Sequence, residues 1–290
     1  MISQDQARQL LVKHNGNVRA ASREAGIARS TWRCKFGSVK QTTPLKKETT
    51  VVFADIHAPY HDEEALASAL EYAATLNPDR VVINGDFLDC YAISHWRKDP
   101  SRGNFPEEVR AAREVLEQIT EELPTARDRV YLEGNHESRL RDYLWGKAAE
   151  LWGLDALTVP ELLKCNELGW RYISNSKNLI EGGEVYHVGK LAVFHGHEVK
   201  ASMAAVNIPR IYYFKCHENL LVAHHHQTQE FIAHKLNGQH DGAWSVGCLC
   251  KLNAEYMPVT NWCHGFSVVE SDDTGNFVMQ NKIIIEGVVR

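Results

Sequence analysis

Long apolar runs are missing from this chain. No stretch approaches the roughly 18–20 consecutive apolar residues that span a bilayer, which argues against a membrane protein. The first residues, Met1 to Leu10, are polar and lack the apolar segment of a secretory signal. Cysteine is scarce and poorly arranged for bridging. Cys34, Cys90, Cys165, Cys216, Cys248, Cys250 and Cys263 form an odd, unevenly spaced set, and Cys248-Leu-Cys250 has no second pair at zinc-finger spacing. Reduced thiols in a cytoplasmic protein are expected. There is no internal repeat.

What the chain does have is size and an uneven distribution of charge. With 290 residues, 44% hydrophobic and 24% charged, it can bury one large core and retain residues for a second module. The net charge of −5 conceals two regions of opposite sign. Residues 1–47 hold ten Lys or Arg against Asp5 and Glu24, a net of +8, which leaves the remainder at −13. Such a split predicts two modules with different partners.

The basic segment reads as three short helices. Gln4 to His14 carries Ala7, Leu10 and Leu11 at helical spacing and is broken by Asn15-Gly16-Asn17. Val18 to Ala25 follows and stops at Gly26. Ser30 is placed to cap a third helix, Thr31 to Phe36, closed by Gly37. A helix, a short glycine-containing turn and a basic helix is the helix-turn-helix order. The segment HNGNVRAASREAGIARSTWRCKFG resembles the C-terminal DNA-binding helix-turn-helix of Fis-type bacterial regulators. That resemblance places Arg29, Ser30, Thr31, Arg33 and Lys35 on or beside a recognition helix, and a dimer reading two half-sites is compatible with it. The alternative is a helical arm for protein contacts. Residues 38–49 have no apolar period and read as a linker.

From Thr50 the pattern alternates. Thr50–Ala54, Arg80–Asn84 and Arg129–Glu133 read as buried strands, with helices expected over Glu63–Leu76 and Pro106–Leu123. Later strands are expected at Gly189–His195, Asn219–Ala223, Gln229–His234, Gly265–Ser271 and Asn276–Ile285, and Tyr212–Lys215 also reads as buried strand. A βαβαβ start followed by a strand-rich half predicts two packed sheets with outer helices.

Metal-ligand residue types gather where the strands stop. Val51-Val-Phe-Ala-Asp55-Ile-His57 is followed by Ile83-Asn-Gly85-Asp86-Phe-Leu-Asp89, then Leu132-Glu-Gly134-Asn135-His136-Glu137. Val193-Phe-His195-Gly-His197 and Val222-Ala-His224-His225-His226 come later. In an extended chain residues i and i+2 point the same way, so Asp55 with His57, and His224 with His226, can each aim two donors at one site. Gly85 and Gly134 allow tight turns before Asp86 and Asn135. Carboxylate, imidazole and amide oxygen together suit a divalent ion such as manganese, iron or zinc. Each fragment alone is an ordinary turn; five in this order, each after an apolar strand, are not coincidence.

This order resembles the calcineurin-like metallophosphoesterase superfamily, over roughly residues 50–230. The resemblance implies an α/β fold, a four-layer α/β/β/α sandwich over residues 50–290, preceded by the helix-turn-helix module of residues 1–37. It also implies two divalent metal ions, one held by Asp55, His57 and His226, the other by Asn135, His195 and His224, with Asp86 bridging. His195 is preferred to His197 because it directly ends the strand. His136 matches the histidine beside the scissile phosphate, Asp89 would orient it, and Arg139, if not an ordinary surface group, would help bind phosphate. The implied nucleophile is a metal-bound hydroxide, so no Ser or Cys is required. Ala223 and Cys90 depart from the usual Gly and from the Arg of protein phosphatases, and the second argues against that branch. Residues 90–105, with His95, Trp96, Arg97, Lys98 and Arg102, form a polar insertion, either substrate-facing or plain surface.

Three functions follow. The first is a phosphodiesterase or nuclease acting on DNA or nucleotides. The second is a phosphomonoesterase or nucleotide phosphatase, and the third a DNA-binding regulator with an idle phosphoesterase domain. The basic module favours the first.

Overall fold

The computed structural model describes residues 2–14, 17–36, 47–99, 101–174, 185–200, 206–253 and 259–290. The chain divides into two compact units, Met1–Lys46 and Lys47–Arg290. In the first, α1 (Gln4–Lys13), α2 (Val18–Glu24) and α3 (Arg29–Phe36) enclose Ala7, Leu11, Ala21, Trp32 and Phe36. Asn17 caps α2 by accepting from the Arg19 and Ala20 amides, and Gly26 follows with φ +65, a conformation open to glycine at little cost. Ser30 is not a cap. The helical ladder has already begun at the Trp32 amide, which donates to Ala28, so Ser30 lies within the first turn of α3. The break expected at Asn15-Gly16 and the closing Gly37 lie outside the described residues.

The second unit contains, in order, β1 (Lys47–Phe53), α4 (Glu63–Leu76), β2 (Arg80–Asn84), α5 (Phe105–Glu122), β3 (Asp128–Leu132), α6 (Ser138–Lys147), α7 (Val159–Leu162) and β4 (Trp170–Ile173). Then come β5 (Tyr186–Val188), β6 (Leu191–Val193), α8 (Ile208–Cys216), β7 (Leu220–Val222), β8 (Gln229–His234), β9 (His240–Ser245), β10 (Gly265–Asp272), β11 (Phe277–Ile285) and β12 (Val288–Val289). One sheet has the order β12-β11-β10-β1-β2-β3-β4 and the other β5-β6-β7-β9-β8. β1 to β4 run parallel, as do β6, β7 and β9, so each set delivers its C-terminal ends to one rim.

The buried residues fall into layers. Val52, Val82 and Val130 of the first sheet meet Val188, Val193 and Leu221 of the second. On the first sheet's other face lie Leu66, Leu70 and Ala73 of α4 with Val115 and Leu116 of α5. Ile208, Tyr212 and Tyr213 of α8 cover the second sheet. Local chemistry sets these helices. Asp62 caps α4 and the left-handed Asn77 ends it, while Asn104 and Glu107 form a reciprocal capping box ahead of α5.

Two expectations are corrected. Tyr212–Lys215 is helical, because Asn207 caps α8 by accepting from Arg210 and Pro209 fits its first turn. Residues Lys47 to Thr49 belong to β1 rather than to a linker: they pair with Asp272, Ser271 and Glu270, and the Lys47 ammonium sits 2.8 Å from Glu270. No described helix is long and apolar enough to cross a membrane.

Leu70 is fully buried between α4 and the first sheet. Leu70→Ala should cost about 2–5 kcal/mol in urea unfolding. A loss within about 0.5 kcal/mol, the size of a surface effect, would show that this helix face is not packed as described.

Candidate metal centre

The chain leaves β1, β2 and β7 in an unusual conformation. Asp55, His57, Asp86, His224 and His226 all have φ between +49 and +66, the left-handed region that non-glycine residues avoid. The extended-chain rationale for Asp55 with His57 and for His224 with His226 is therefore replaced. Each residue lies beyond its strand, and a left-handed step aims it. Such strain persists only where surrounding structure over-determines it.

That structure centres on Glu137, which is 1% exposed. Its Oε1 accepts from the Phe87 and Leu88 amides at 2.8 and 2.9 Å and from the Tyr131 hydroxyl at 2.7 Å. Its Oε2 accepts from the Gly134 and Asp86 amides at 2.8 and 3.1 Å. One carboxylate thus ties the loop after β2 to the loop after β3. Gly134 is needed for close approach rather than for a turn, since a Cβ there would collide with Asp86. At Gly85 both reasons apply: φ is +79, and a Cβ would strike the His195 ring.

Around this frame the expected residues converge. Asp55 Oδ1 lies 3.2 Å from His226 Nε2 and 4.0 Å from His57 Nε2. Asp86 Oδ2 lies 3.9 Å from His57 Nε2 and 3.2 Å from His195 Nε2, so one oxygen faces both groups. Asn135 Oδ1 is 3.2 Å from His195 Nε2. Two sets of donors have metal-binding spacing on this arrangement: His57, Asp86 and His136, and Asp86, His195 and His224. His57, His226 and Cys250 form a third. His224 and His226 thus belong to different sets. His197 lies beside His195, with ring centres 5.4 Å apart, and belongs to none of these sets.

The outer ring nitrogens are occupied, which turns the Nε2 edges inward. His57 Nδ1 contacts Asp89 Oδ1 at 2.8 Å, His195 Nδ1 contacts the Asn84 carbonyl at 2.8 Å, and Cys250 Sγ lies 3.6 Å from His226 Nδ1. Asp89 also reaches His136 Nδ1 at 3.0 Å, so it orients two rings. Arg139 is more than a surface group, since its guanidinium meets His136 Nε2 at 2.7 Å and donates to the Asp89 carbonyl at 3.0 Å.

Asp55 supplies the test of fit for a cation. Its Oδ2 accepts from the His224 amide at 3.0 Å, while the fully buried Oδ1 makes no well-aligned hydrogen bond and faces the His226 ring at 3.2 Å. A buried carboxylate oxygen without a well-aligned donor is costly unless an ion satisfies it. Three carboxylates crowded among histidines make the same demand. Burial pushes the carboxyls of Asp55 and Asp86 upward, but His226 beside the first and His195 beside the second overcome it and hold both low. Burial likewise disfavours the His195 imidazolium, yet Asp86 reverses this and lifts its pKa to about 10. His224 goes the other way: burial, reinforced by the His195 charge, brings it down to about 3.

The profile of the calcineurin-like phosphoesterase family matches residues 49–266. The chain belongs to that family. The Gene 54 protein of Mycobacterium phage L5 is 25% identical over 250 residues, spanning 82% of this chain and 93% of its own length. Among solved structures, zinc-complexed Vps29 from Entamoeba histolytica is 14% identical, covering 83% of this chain and 96% of its own, with a TM-score of 0.42. Yfce, a phosphoesterase from E. coli, is 15% identical at 80% and 97% coverage, with a TM-score of 0.36. The nuclease MPE of Pseudomonas putida is 11% identical at 80% and 87% coverage, with a TM-score of 0.32. Family membership makes the chain a divalent-metal hydrolase of phosphate esters; it does not select the ester.

Sequence reasoning assigns no role to Glu137, Cys250 or Trp262. For Glu137 the available signal is a carboxylate directly after Gly134-Asn135-His136. Cys250 and Trp262 follow His226 by 24 and 36 residues, in a segment without strand periodicity, and nothing there pointed to the site. Trp262 packs on His226 with ring centres 4.1 Å apart and the rings inclined by 55°.

Two outcomes follow. Glu137→Gln puts an amide NH₂ among N–H donors, and metal affinity measured by calorimetry should fall about 10–100-fold; unchanged affinity would remove Glu137 from its organising role. Metal ligands must be neutral imidazoles, so metal uptake at neutral pH should expel the His195 proton and tighten as pH rises towards about 10. In the metal-free protein the raised pKa contributes stability that is complete below the unfolded value near 6.5 and lost as pH climbs through about 10. Calorimetry in buffers of different protonation enthalpy reads the released protons, and zero release would contradict the pairing.

Proposed function

We propose that this protein hydrolyses phosphodiesters of DNA or nucleotides with two divalent ions, manganese by preference, and that residues 1–46 bring it to DNA. Asp55, His57 and His226 hold one ion, Asn135, His195 and His224 the other, and Asp86 serves both. The observation that carries this reading is Asp86 Oδ2 facing His57 and His195 together, beside the fully buried Oδ1 of Asp55. Ions bound there supply Lewis acidity, activating water and neutralising phosphoryl oxygens.

The chain's own groups do the rest. His136 lies with its Nε2 3.8 Å from Asp86 Oδ2, at the edge of the cluster, and moves a proton to the leaving oxygen. Burial and the Arg139 guanidinium oppose the charged form of this ring, and Asp86, with Asp89 fixing the ring through Nδ1, outweighs them. Arg139, in contact with Nε2, is positioned to meet phosphoryl charge as it develops. The DNA-directed part of the reading rests on the first unit. The sequence through Lys47 carries +8, and α3 buries Trp32 and Phe36 while presenting Arg29, Ser30, Thr31 and Lys35 outward; Arg33 falls in the same helix. A basic helix after a glycine turn has the form of a groove-reading element.

His136→Ala should retain metal by elemental analysis yet turn over a small chromogenic diester about 10²–10⁴-fold more slowly; loss of metal instead would reassign it as a ligand. Deleting residues 1–46 should leave small-ester hydrolysis standing while duplex DNA binding weakens and its salt dependence flattens. Equal DNA affinity with and without them would leave the unit as a protein-contact arm.

A further inference from the structure

A cleft of about 880 Å³ opens from the metal centre at His57, Asp89 and His226. That volume is near the upper end of the range for small-molecule sites. Its walls are strongly cationic for a unit whose net charge is negative. Arg97, Lys98 and Arg102, from the insertion, and Lys251, from beyond β9, all line it and are exposed. Two acids also line it: Asp89, held on His57 and His136, and Asp99, which accepts from the Ser101 amide and hydroxyl and stays charged, so the four cations exceed the acids by two.

Three aromatic residues share the lining with these cations: Tyr60, Tyr91 and Trp262. The guanidinium of Arg102 lies 5.5 Å from the Tyr60 ring centre and 5.6 Å from that of Tyr91, and the two rings meet edge-to-face at 5.8 Å. The Tyr60 hydroxyl donates to the Arg102 carbonyl, and the Tyr91 hydroxyl accepts from the Asp99 amide at 2.7 Å. Lys98 donates to the Ala92 carbonyl at 2.8 Å, which uses one of its three protons. The wall is therefore built before any ligand arrives. Trp262, half-buried on His226, presents a second aromatic surface within one residue's reach of the metal centre.

We infer that this cleft is a subsite for single-stranded nucleic acid, taking unpaired bases against Trp262 and the Tyr60–Tyr91–Arg102 wall and flanking phosphates on Arg97, Lys98 and Lys251. The inference rests on the phosphodiesterase reading and names the form of its substrate. Four cations outside the metal centre exceed what one additional phosphate requires, which favours a polymer over a mononucleotide. Aromatic surfaces and cations in one cleft suit the bases and phosphates of a strand, and stacking tolerates any sequence. In a duplex the base faces are covered by their neighbours, so only an unpaired strand can offer them.

The test uses the full chain with chelator present, so that hydrolysis cannot consume the probe. Anisotropy would follow a labelled short oligothymidylate, a duplex of equal length, and thymidine 5′-monophosphate as competitor. Arg97→Ala/Lys98→Ala should weaken the single strand about tenfold or more and flatten its salt slope by about 1.4, the value for two lost phosphate contacts, while the duplex changes less than about twofold. Trp262→Phe should bind the single strand more tightly than Trp262→Ala, because it keeps a stacking face. Circular dichroism would establish that each variant is folded, and Lys251→Ala gives an independent cation variant. Wild-type single-strand affinity in both cation variants would overturn the inference. Equal losses on strand and duplex, or a mononucleotide competing as well as the oligomer, would overturn it too. The phosphodiesterase reading has its own readout. Failure of the wild type to hydrolyse bis(p-nitrophenyl) phosphate with Mn²⁺ would defeat that reading, whereas the binding pattern decides the subsite.

Discussion

One buried carboxylate holds the centre of this protein together. The two oxygens of Glu137 take up four backbone amides and a phenol, and those amides belong to the loops after β2 and β3. Charged acceptors make the stronger hydrogen bonds, and here nearly every lone-pair direction is filled. The position of Asp86 depends on that clasp, and His57, His136 and His195 are in turn placed by their distances to Asp86. A Leu or Met of similar volume would fill the space and leave both loops without an acceptor.

The histidines show how one element type is made to do different things. Asp89, the Asn84 carbonyl and Cys250 each occupy an Nδ1 edge, so the choice of inward nitrogen is made outside the cluster. At His224, burial and the positive field of His195 outweigh the pull of the Asp86 and Asp55 carboxylates. Held down to about 3, this ring is neutral at physiological pH, the form a ligand needs, whereas His195, lifted to about 10, has to surrender a proton first.

Much of this was legible in the sequence where the signal was local. α4, β2 and β8 have the expected limits because capping residues, glycine or tight alternation mark their ends. The site's outline was legible because each donor fragment follows an apolar strand. What failed had a physical reason. The aromatic run in α8 has too short a period to separate helix from strand, and its cap at Asn207 lies before it. The second role of Asp89 depends on His57, 32 residues away, and the tie from Glu137 to Asp86 spans 51. Left-handed backbone at Asp55, His57 and His226 is invisible to propensity, since nothing but the fold compels it. The cleft is partly a product of the insertion at residues 90–105, whose cations were visible while the wall they complete was not.

Those left-handed residues also bear on how the protein tolerates heat and change. Backbone held in sparsely populated regions costs on the order of 1–3 kcal/mol per residue, and here five ligand-type positions share that condition. The sum is comparable with the whole stability of an ordinary domain, about 5–15 kcal/mol. Glycine at such a position would relieve the backbone while deleting a donor, so a selection for thermal robustness alone would erode the metal centre first. Thermostable descendants of this chain that keep their chemistry must gain stability elsewhere, in the layers beneath α4, α5 and α8.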